Sequence, residues 1–533
     1  MNLTTLDCTL RDGGYYNNWD FNESLVDQYI EKIIESGIDI IEIGFRNFSN
    51  NTFLGAYAYS LDEHLKSKEN INKIKIGVMS DASIFFSSEE KISNQVKKLY
   101  LPKSESSISL VRIAVHFKDI DRCFDILKAL KELGYQIGLN MMQAGGRSIK
   151  EIERATSLVA SWNIVDVLYF ADSLGNMSPD DVISITKTIK KNWKKEIGIH
   201  THDNKGMAIK NTLVAIDNGV TWVDSTVKGM GRGAGNAKSE ELLIELNKLK
   251  PNSYIVDGLV KISSENFQVL YNKYKWGASD LYSLAADYNI HPTYIQEMVS
   301  DQRYNQKQIK DIIEHMKDIP STSYNQDTLD EVRAKSNENH KGSWNAKNWC
   351  SGKDILLIGN GPSIKTHKNK ILDFIKNNQV LKLAINIQEL IPNEFIDGII
   401  SANKSRILMD SKYYFDLNKP IYMPKDLISD IPNKDKIEKK INDYGSIITK
   451  DNLNINQKSC SIPFQLTAIY ALALITIGGA KNVYLAGFDG YDDKKLQNEM
   501  LKSLKLYKEC KNSLKIISIT PTTYGFTQIN NND

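Results

Sequence analysis

At 533 residues the chain is too long for one ordinary domain and suggests two or three. Its 67 basic and 65 acidic side chains leave a formal charge of +2, which points away from nucleic acid and from a charged membrane surface as partners. The five cysteines (Cys8, Cys123, Cys350, Cys460 and Cys510) have no paired spacing, so a disulfide framework and a zinc ribbon are excluded and a reducing cytoplasm is expected.

The N-terminus lacks the basic and apolar regions of a signal peptide. Apolar runs stay short of the roughly 20 residues of a membrane span. The longest, residues 466–478, reads as a buried helix.

From there short apolar runs alternate with amphipathic stretches. Strands are predicted over residues 4–10, 40–45, 74–79, 110–115, 136–142, 167–171, 197–202 and 222–227. Helices are predicted over residues 22–36, 120–133, 149–162, 179–194 and 205–217. Asn22 reads as an N-cap, Gly37 as a stop, and Pro179 sits where a helix start tolerates proline. About eight strand–helix units in about 250 residues is the rhythm of a (β/α)8 TIM barrel. A doubly wound sheet gives a similar alternation, but count and length favour the barrel.

In a barrel of this kind chemistry gathers at the C-terminal ends of the strands. The first strand leads into Arg11-Asp12-Gly13-Gly14, and the second carries Glu42. The seventh carries His200 and His202, which point to one side because strand side chains repeat with period two. After the eighth comes Gly229-Met230-Gly231-Arg232-Gly233-Ala234-Gly235-Asn236. Strands one, seven and eight become neighbours when a barrel closes, so Asp12, His200, His202 and Asn236 can meet. Two imidazoles, a carboxylate and an amide oxygen suit a divalent ion such as Mn²⁺ or Mg²⁺.

These motifs carry a family resemblance. Thr9-Leu10-Arg11-Asp12-Gly13, Glu42 in Ile-Glu-Ile-Gly, His200-Thr201-His202-Asp203-Asn204 and the glycine-rich loop ending in Asn236 resemble the DRE-TIM metallolyases, in particular the 4-hydroxy-2-oxovalerate aldolase branch. The resemblance implies a metal held by Asp12, His200, His202 and Asn236. It also implies Arg11 stabilising an enolate and Glu42 positioning Arg11. The implied reaction is carbon–carbon cleavage of a 2-oxo acid, in which a metal acts as Lewis acid.

The chain departs from that branch at Tyr15, where its aldolases carry histidine two residues beyond Asp-Gly. Tyrosine, with an ordinary pKa of about 10, is a poor base at neutral pH. Tyr15 is then expected to bind substrate, with Tyr16, Asp172 or a metal-bound water as base. Two alternatives stand beside the aldolase: an acyl-CoA-dependent Claisen-type synthase of the same superfamily, and a non-haem Fe(II) oxygenase, whose two histidines and one carboxylate form the same triad.

Residues 1–255 are assigned to the barrel and residues 256–317 to a helical extension, in which Tyr282 and His291 are candidates to reach the site. Residues 318–352, with Pro320-Ser321-Thr322-Ser323 and Lys335-Ser336-Asn337-Glu338-Asn339, read as a linker. A second α/β domain is expected over residues 353–533. There the strand 355–358 runs into Gly359-Asn360-Gly361-Pro362-Ser363, an anion-binding pattern. A late strand ends in Ala486-Gly487-Phe488-Asp489-Gly490. Together these resemble a Rossmann-like family that includes bacterial sialyltransferases, motility-associated glycosyltransferases and 6-hydroxymethylpterin diphosphokinase-like proteins. The resemblance implies a nucleotide or nucleotide-sugar held by Gly359, Asn360, Gly361, Ser363 and Asp489. Fusion of the two domains suggests surface-glycan or keto-sugar metabolism. A homo-oligomer is expected.

Overall fold

A computed structural model describes residues 3–49, 53–301, 303–336, 341–429 and 431–529. The chain divides into two compact units, residues 1–300 with 316–324 and residues 301–315 with 325–533.

The first unit is a closed barrel of eight parallel strands in chain order. They are β1 (Thr4–Asp7), β2 (Ile40–Phe45), β3 (Lys75–Asp81), β4 (Ile108–His116), β5 (Gln136–Met142), β6 (Val167–Asp172), β7 (Glu196–Thr201) and β8 (Trp222–Ser225). β1 pairs with β8 from Thr4↔Trp222 to Asp7↔Ser225 and closes the ring. Helices follow the strands and are started by local chemistry. Asn22 caps Glu23–Ser36 through Leu25 N–H, Gly37 ends it in the left-handed region, and Ser148 and Ser178 form capping boxes. The strand residues that face the helices join one large buried core.

Inside the barrel, Leu6, Cys8, Ile40, Leu110, Val167, Tyr169 and Trp222 form a separate buried cluster. Gly198 belongs to the same interior. A Cβ there would overlap the Tyr169 ring, so the absence of a side chain on β7 makes room for tyrosine on β6. The Tyr169 ring in turn lies 4.5 Å from the Arg112 guanidinium, a cation–π contact in the middle of the barrel.

Two expected boundaries differ. The first strand ends at Asp7 rather than at residue 10, because Asp7 Oδ1 accepts from Thr9 N–H (2.9 Å) and turns the chain into the short helix Thr9–Gly13. Arg11 and Asp12 therefore stand on a helical turn. Residues 318–352 are not an extended linker. Residues 326–336 form a helix, and Ala346 and Cys350 enter the buried core of the second unit. Residues 337–340 lie outside the described residues.

The second unit holds an open, all-parallel, eight-stranded sheet in the order β13-β12-β11-β10-β9-β17-β18-β19. Its strands are β9 (Asp354–Ile358), β10 (Val380–Ile385), β11 (Gly398–Ile400), β12 (Ile421–Tyr422), β13 (Ile441–Asn442), β17 (Asn482–Ala486), β18 (Ile516–Ser518) and β19 (Thr527–Gln528). A small three-stranded sheet is built from β14 (Gly445–Ile448), β15 (Asn454–Ile455) and β16 (Ser459–Ile462). The apolar helix Thr467–Ile477 is buried within this unit, as its composition predicts. Among the described residues no helix is long and apolar enough to cross a membrane.

Candidate active site

Asp12, His200 and His202 converge at the mouth of the barrel, with one donor atom of each within 4.8 Å of the others. All three are buried. Asn236 joins them. Its amide nitrogen donates to Asp12 Oδ2, and its Oδ1 is buried without a partner. The glycine-rich loop is pinned against β7 by a bridge between His202 and Asn236 and by Asp203 N–H donating to Gly235 O (2.8 Å).

Beneath these groups lies a ring of charges. Arg11 donates from Nη1 to Asp12 Oδ1 (2.8 Å) and from Nε to Glu42 Oε2 (2.8 Å). Arg112 grips the same Glu42 with Nε (2.6 Å) and Nη2 (2.6 Å), and reaches Asp224 Oδ2 with Nη1 (2.7 Å). Asp224 Oδ2 meets His200 Nδ1 at 2.9 Å, and His200 Nε2 lies 3.5 Å from Asp12 Oδ2. The circuit is closed. Two guanidiniums against three carboxylates leave one surplus negative charge, which favours either a proton on His200 or a cation at the mouth.

The same contacts set the protonation states. Burial alone would raise the Asp12 carboxyl, but Arg11 and His200 hold it well below the usual range. Burial would likewise raise Asp224, and Arg112 with His200 holds it down. Burial pushes His202 well below the ordinary histidine value, so it is neutral. His200 is raised, because the neighbouring carboxylates of Asp12 and Asp224 outweigh its burial.

A divalent cation fits this arrangement. His200 Nε2, His202 Nδ1 and Asn236 Oδ1 are buried polar atoms without partners, and such orphans are costly unless a ligand completes them. Asp224 fixes His200 from behind in the way a carboxylate orients a metal-bound imidazole. Cys8 with His200 and Asp224 forms a second set of donors, but there His200 Nδ1 and Arg112 already share Asp224 Oδ2.

The structure brings Arg11, Asp12, Glu42, His200, His202 and Asn236 together. Tyr15 stands at the mouth, its ring 4.9 Å from Trp19 and 6.1 Å from Phe45. Two of the suggested bases have hydrogen-bond partners of their own. The Tyr16 hydroxyl donates to Gly233 O (2.7 Å). Asp172 Oδ1 accepts the N–H groups of Asn176 (3.0 Å) and Met177 (3.2 Å).

The helical extension reaches the glycine-rich loop: Gly233 N–H donates to Gln296 Oε1 at 2.9 Å. His291 is pushed down to about 2, first by burial and then by the charge of Arg232, so it stays neutral.

Sequence inspection missed Arg112 and Asp224. The available signal was a single charge inside an otherwise apolar strand, in Leu110-Val111-Arg112-Ile113 and in Trp222-Val223-Asp224.

In the second unit, the loops after β9 and β17 meet where the strand order reverses. Gly359 N–H donates to Ala486 O (2.8 Å) and Gly361 N–H to Gly487 O (3.0 Å). Asn360 and Asp489 lie at this edge. The Asp489 carboxylate is seated on the turn, accepting from Ser363 Oγ at 2.9 Å and Ser363 N–H at 3.3 Å. The anion at this turn is thus an internal carboxylate, and the helix it caps, Ser363–Thr366, is a single turn.

Residues 2–264 match the HMGL-like family. A 4-hydroxy-2-oxovalerate aldolase from Geobacillus genomosp. 3 is 31% identical over 247 residues, covering 46% of this chain and 71% of that protein. Another from Carboxydothermus hydrogenoformans is 32% identical over the same shares. Among solved structures, the N-terminal domain of a candidate aldolase from Bacteroides vulgatus aligns with a TM-score of 0.52 at 35% identity, covering 56% of this chain and 97% of that one. With that identity spread over 71% of a relative's length, the chain belongs to the HMGL-like family of lyases.

Proposed function

We propose that the barrel is a divalent-metal-dependent carbon–carbon lyase that cleaves a 4-hydroxy-2-oxo acid, as the names of its relatives imply, with Mn²⁺ or Mg²⁺ as the ion. The observation that carries this reading is the set of unpartnered donor atoms on His200, His202 and Asn236 beside Asp12, above a ring with surplus negative charge. Asp12, His200, His202 and Asn236 would hold the ion. When bound, it would supply Lewis acidity toward the 2-oxo group.

The chain's own groups supply the rest. Arg11 has Nε and Nη1 tied to Glu42 and Asp12, while its Nη2 is buried and unpartnered. That leaves one preorganised N–H edge for the oxygen on which charge develops as the bond breaks. Glu42 positions Arg11 and is itself held by Arg112. Tyr15 would contact the substrate at the mouth. Full-length protein supplied with 4-hydroxy-2-oxo acids should release pyruvate, lose that activity to a chelator and regain it with Mn²⁺. No chelator-sensitive release from any of them would end the reading.

For the second unit the reading is a nucleotide or nucleotide-sugar at the switch point between β9 and β17, where open parallel sheets bind ligands. With Asp489 on Ser363, the ligand would offer hydroxyl donors to that carboxylate while its phosphates lie elsewhere. A cytidine or uridine nucleotide should raise the melting temperature of the full-length protein by mass action. Absence of any shift would end this part.

A further inference from the structure

The glycine-rich loop of residues 229–236 carries one long charged side chain, Arg232. The buried arginines of the barrel, Arg11, Arg46 and Arg112, are all paired with carboxylates. Arg232 has no ion pair among the described residues, and its Nε is buried without a partner. Its guanidinium carbon lies 5.5 Å from the centre of the Tyr15 ring. A partly desolvated guanidinium without a counter-charge is unfavourable, so its retention calls for a charge that arrives from outside.

Its position says which charge. Arg232 is four residues from Asn236, which touches Asp12. The preceding residue, Gly231, lies so close to Asn236 and Asp12 that an added Cβ would meet both, so Arg232 stands beside the same mouth. It is nevertheless set apart from the reaction centre. A chain of contacts runs from Arg11 over the Phe45 ring (5.9 Å), from Phe45 to Tyr15 (6.1 Å) and from Tyr15 to Arg232. Two aromatic rings therefore link the guanidinium at the metal-ligating end with the one at the rim.

We infer that Arg232 binds a second carboxylate of the substrate, which makes the substrate class a 2-oxo acid with a distal acidic group, such as a 4-hydroxy-2-oxo dicarboxylate. A planar guanidinium offers a carboxylate two parallel N–H bonds. The assignment rests on the lyase reading for the other end of the molecule.

The test is binding of two probes to the full-length, Mn²⁺-loaded protein by calorimetry. They are 2-oxoglutarate, which has the distal carboxylate, and 2-oxopentanoate, which does not. The natural protein should prefer 2-oxoglutarate by roughly tenfold or more, the usual range for a hydrogen bond to a charged group. Arg232→Met should erase that preference and leave 2-oxopentanoate binding within about twofold, and Arg232→Lys should restore part of it. No preference in the natural protein, or a preference that survives Arg232→Met, overturns the assignment. Binding of 2-oxopentanoate that a chelator does not weaken counts against the metal reading alone, because the ratio between natural protein and variant still decides Arg232.

Discussion

His200 Nδ1 lies 2.9 Å from Oδ2 of Asp224, and this contact decides which nitrogen of the imidazole faces Asp12. With Asp224 held in its charged form by Arg112, Nδ1 keeps its proton, so Nε2 is the nitrogen that can give up its proton and offer a lone pair to a cation at the mouth. The imidazole is therefore oriented from below, by a carboxylate that Arg112 holds in place.

Asp224→Asn tests that orientation. Asparagine keeps the shape but can donate to Nδ1, which favours the opposite tautomer and blocks Nε2. Mn²⁺ affinity measured by calorimetry should fall about 10- to 100-fold, the usual effect of losing such a partner. An unchanged Kd would show that Asp224 does not orient His200.

Arg112 is fully buried and is the cation shared by Glu42 and Asp224. Arg112→Met should leave two buried carboxylates without it and cost about 3–5 kcal/mol of barrel stability, read by denaturant unfolding. Adding Glu42→Gln to that variant should recover part of the loss, because one of the stranded charges is removed. A double variant no more stable than the single would refute this account.

Asp172 is raised from its ordinary 3.8 to about 7, chiefly by burial. A raised carboxyl contributes stability that is fully present below the unfolded value and lost as pH rises through the folded one. Wild-type stability should therefore decline between about pH 4 and pH 7 by this group and level off above. Asp172→Asn keeps an oxygen for the N–H groups of Asn176 and Met177. Its melting temperature relative to wild type should climb across that window and stay constant beyond it. A difference that does not vary with pH would show that Asp172 stays ionised.

Gly361 lies against Asp489 so closely that an added Cβ would overlap the carboxylate. Gly361→Ala should push Asp489 off Ser363 and lower the melting temperature of the full-length protein, at a cost of about 1–3 kcal/mol typical of overpacking. Asp489→Ala combined with Gly361→Ala should be less destabilised than the two single effects summed, since the overlap with the carboxylate is gone and only the contact with Gly487 O remains. Additive effects would mean that the two residues do not interact.

The sequence alone determined the alternation of strands and helices, and with it the barrel, because period two and the helical period of 3.6 are local properties of the chain. It also marked Arg11, Asp12, His200, His202 and Asn236, since each lies at or just beyond the end of a predicted strand, and closure of any such barrel brings those ends together. It set Glu42, Arg112 and Asp224 on strands but did not say that they meet. Glu42 and Arg112 are 70 positions apart, and Arg112 and Asp224 are 112. Each faces the interior only because of the register in which the barrel closed. The turn at Asp7, which moved Arg11 and Asp12 off the strand, depended on side-chain hydrogen bonds from Thr9 and Tyr29 that no periodicity encodes. Tertiary structure alone decided the ring of charges, for a physical reason: an ion pair in the interior is stable only where closure excludes water from both partners at once, and no segment of the chain has an interior by itself.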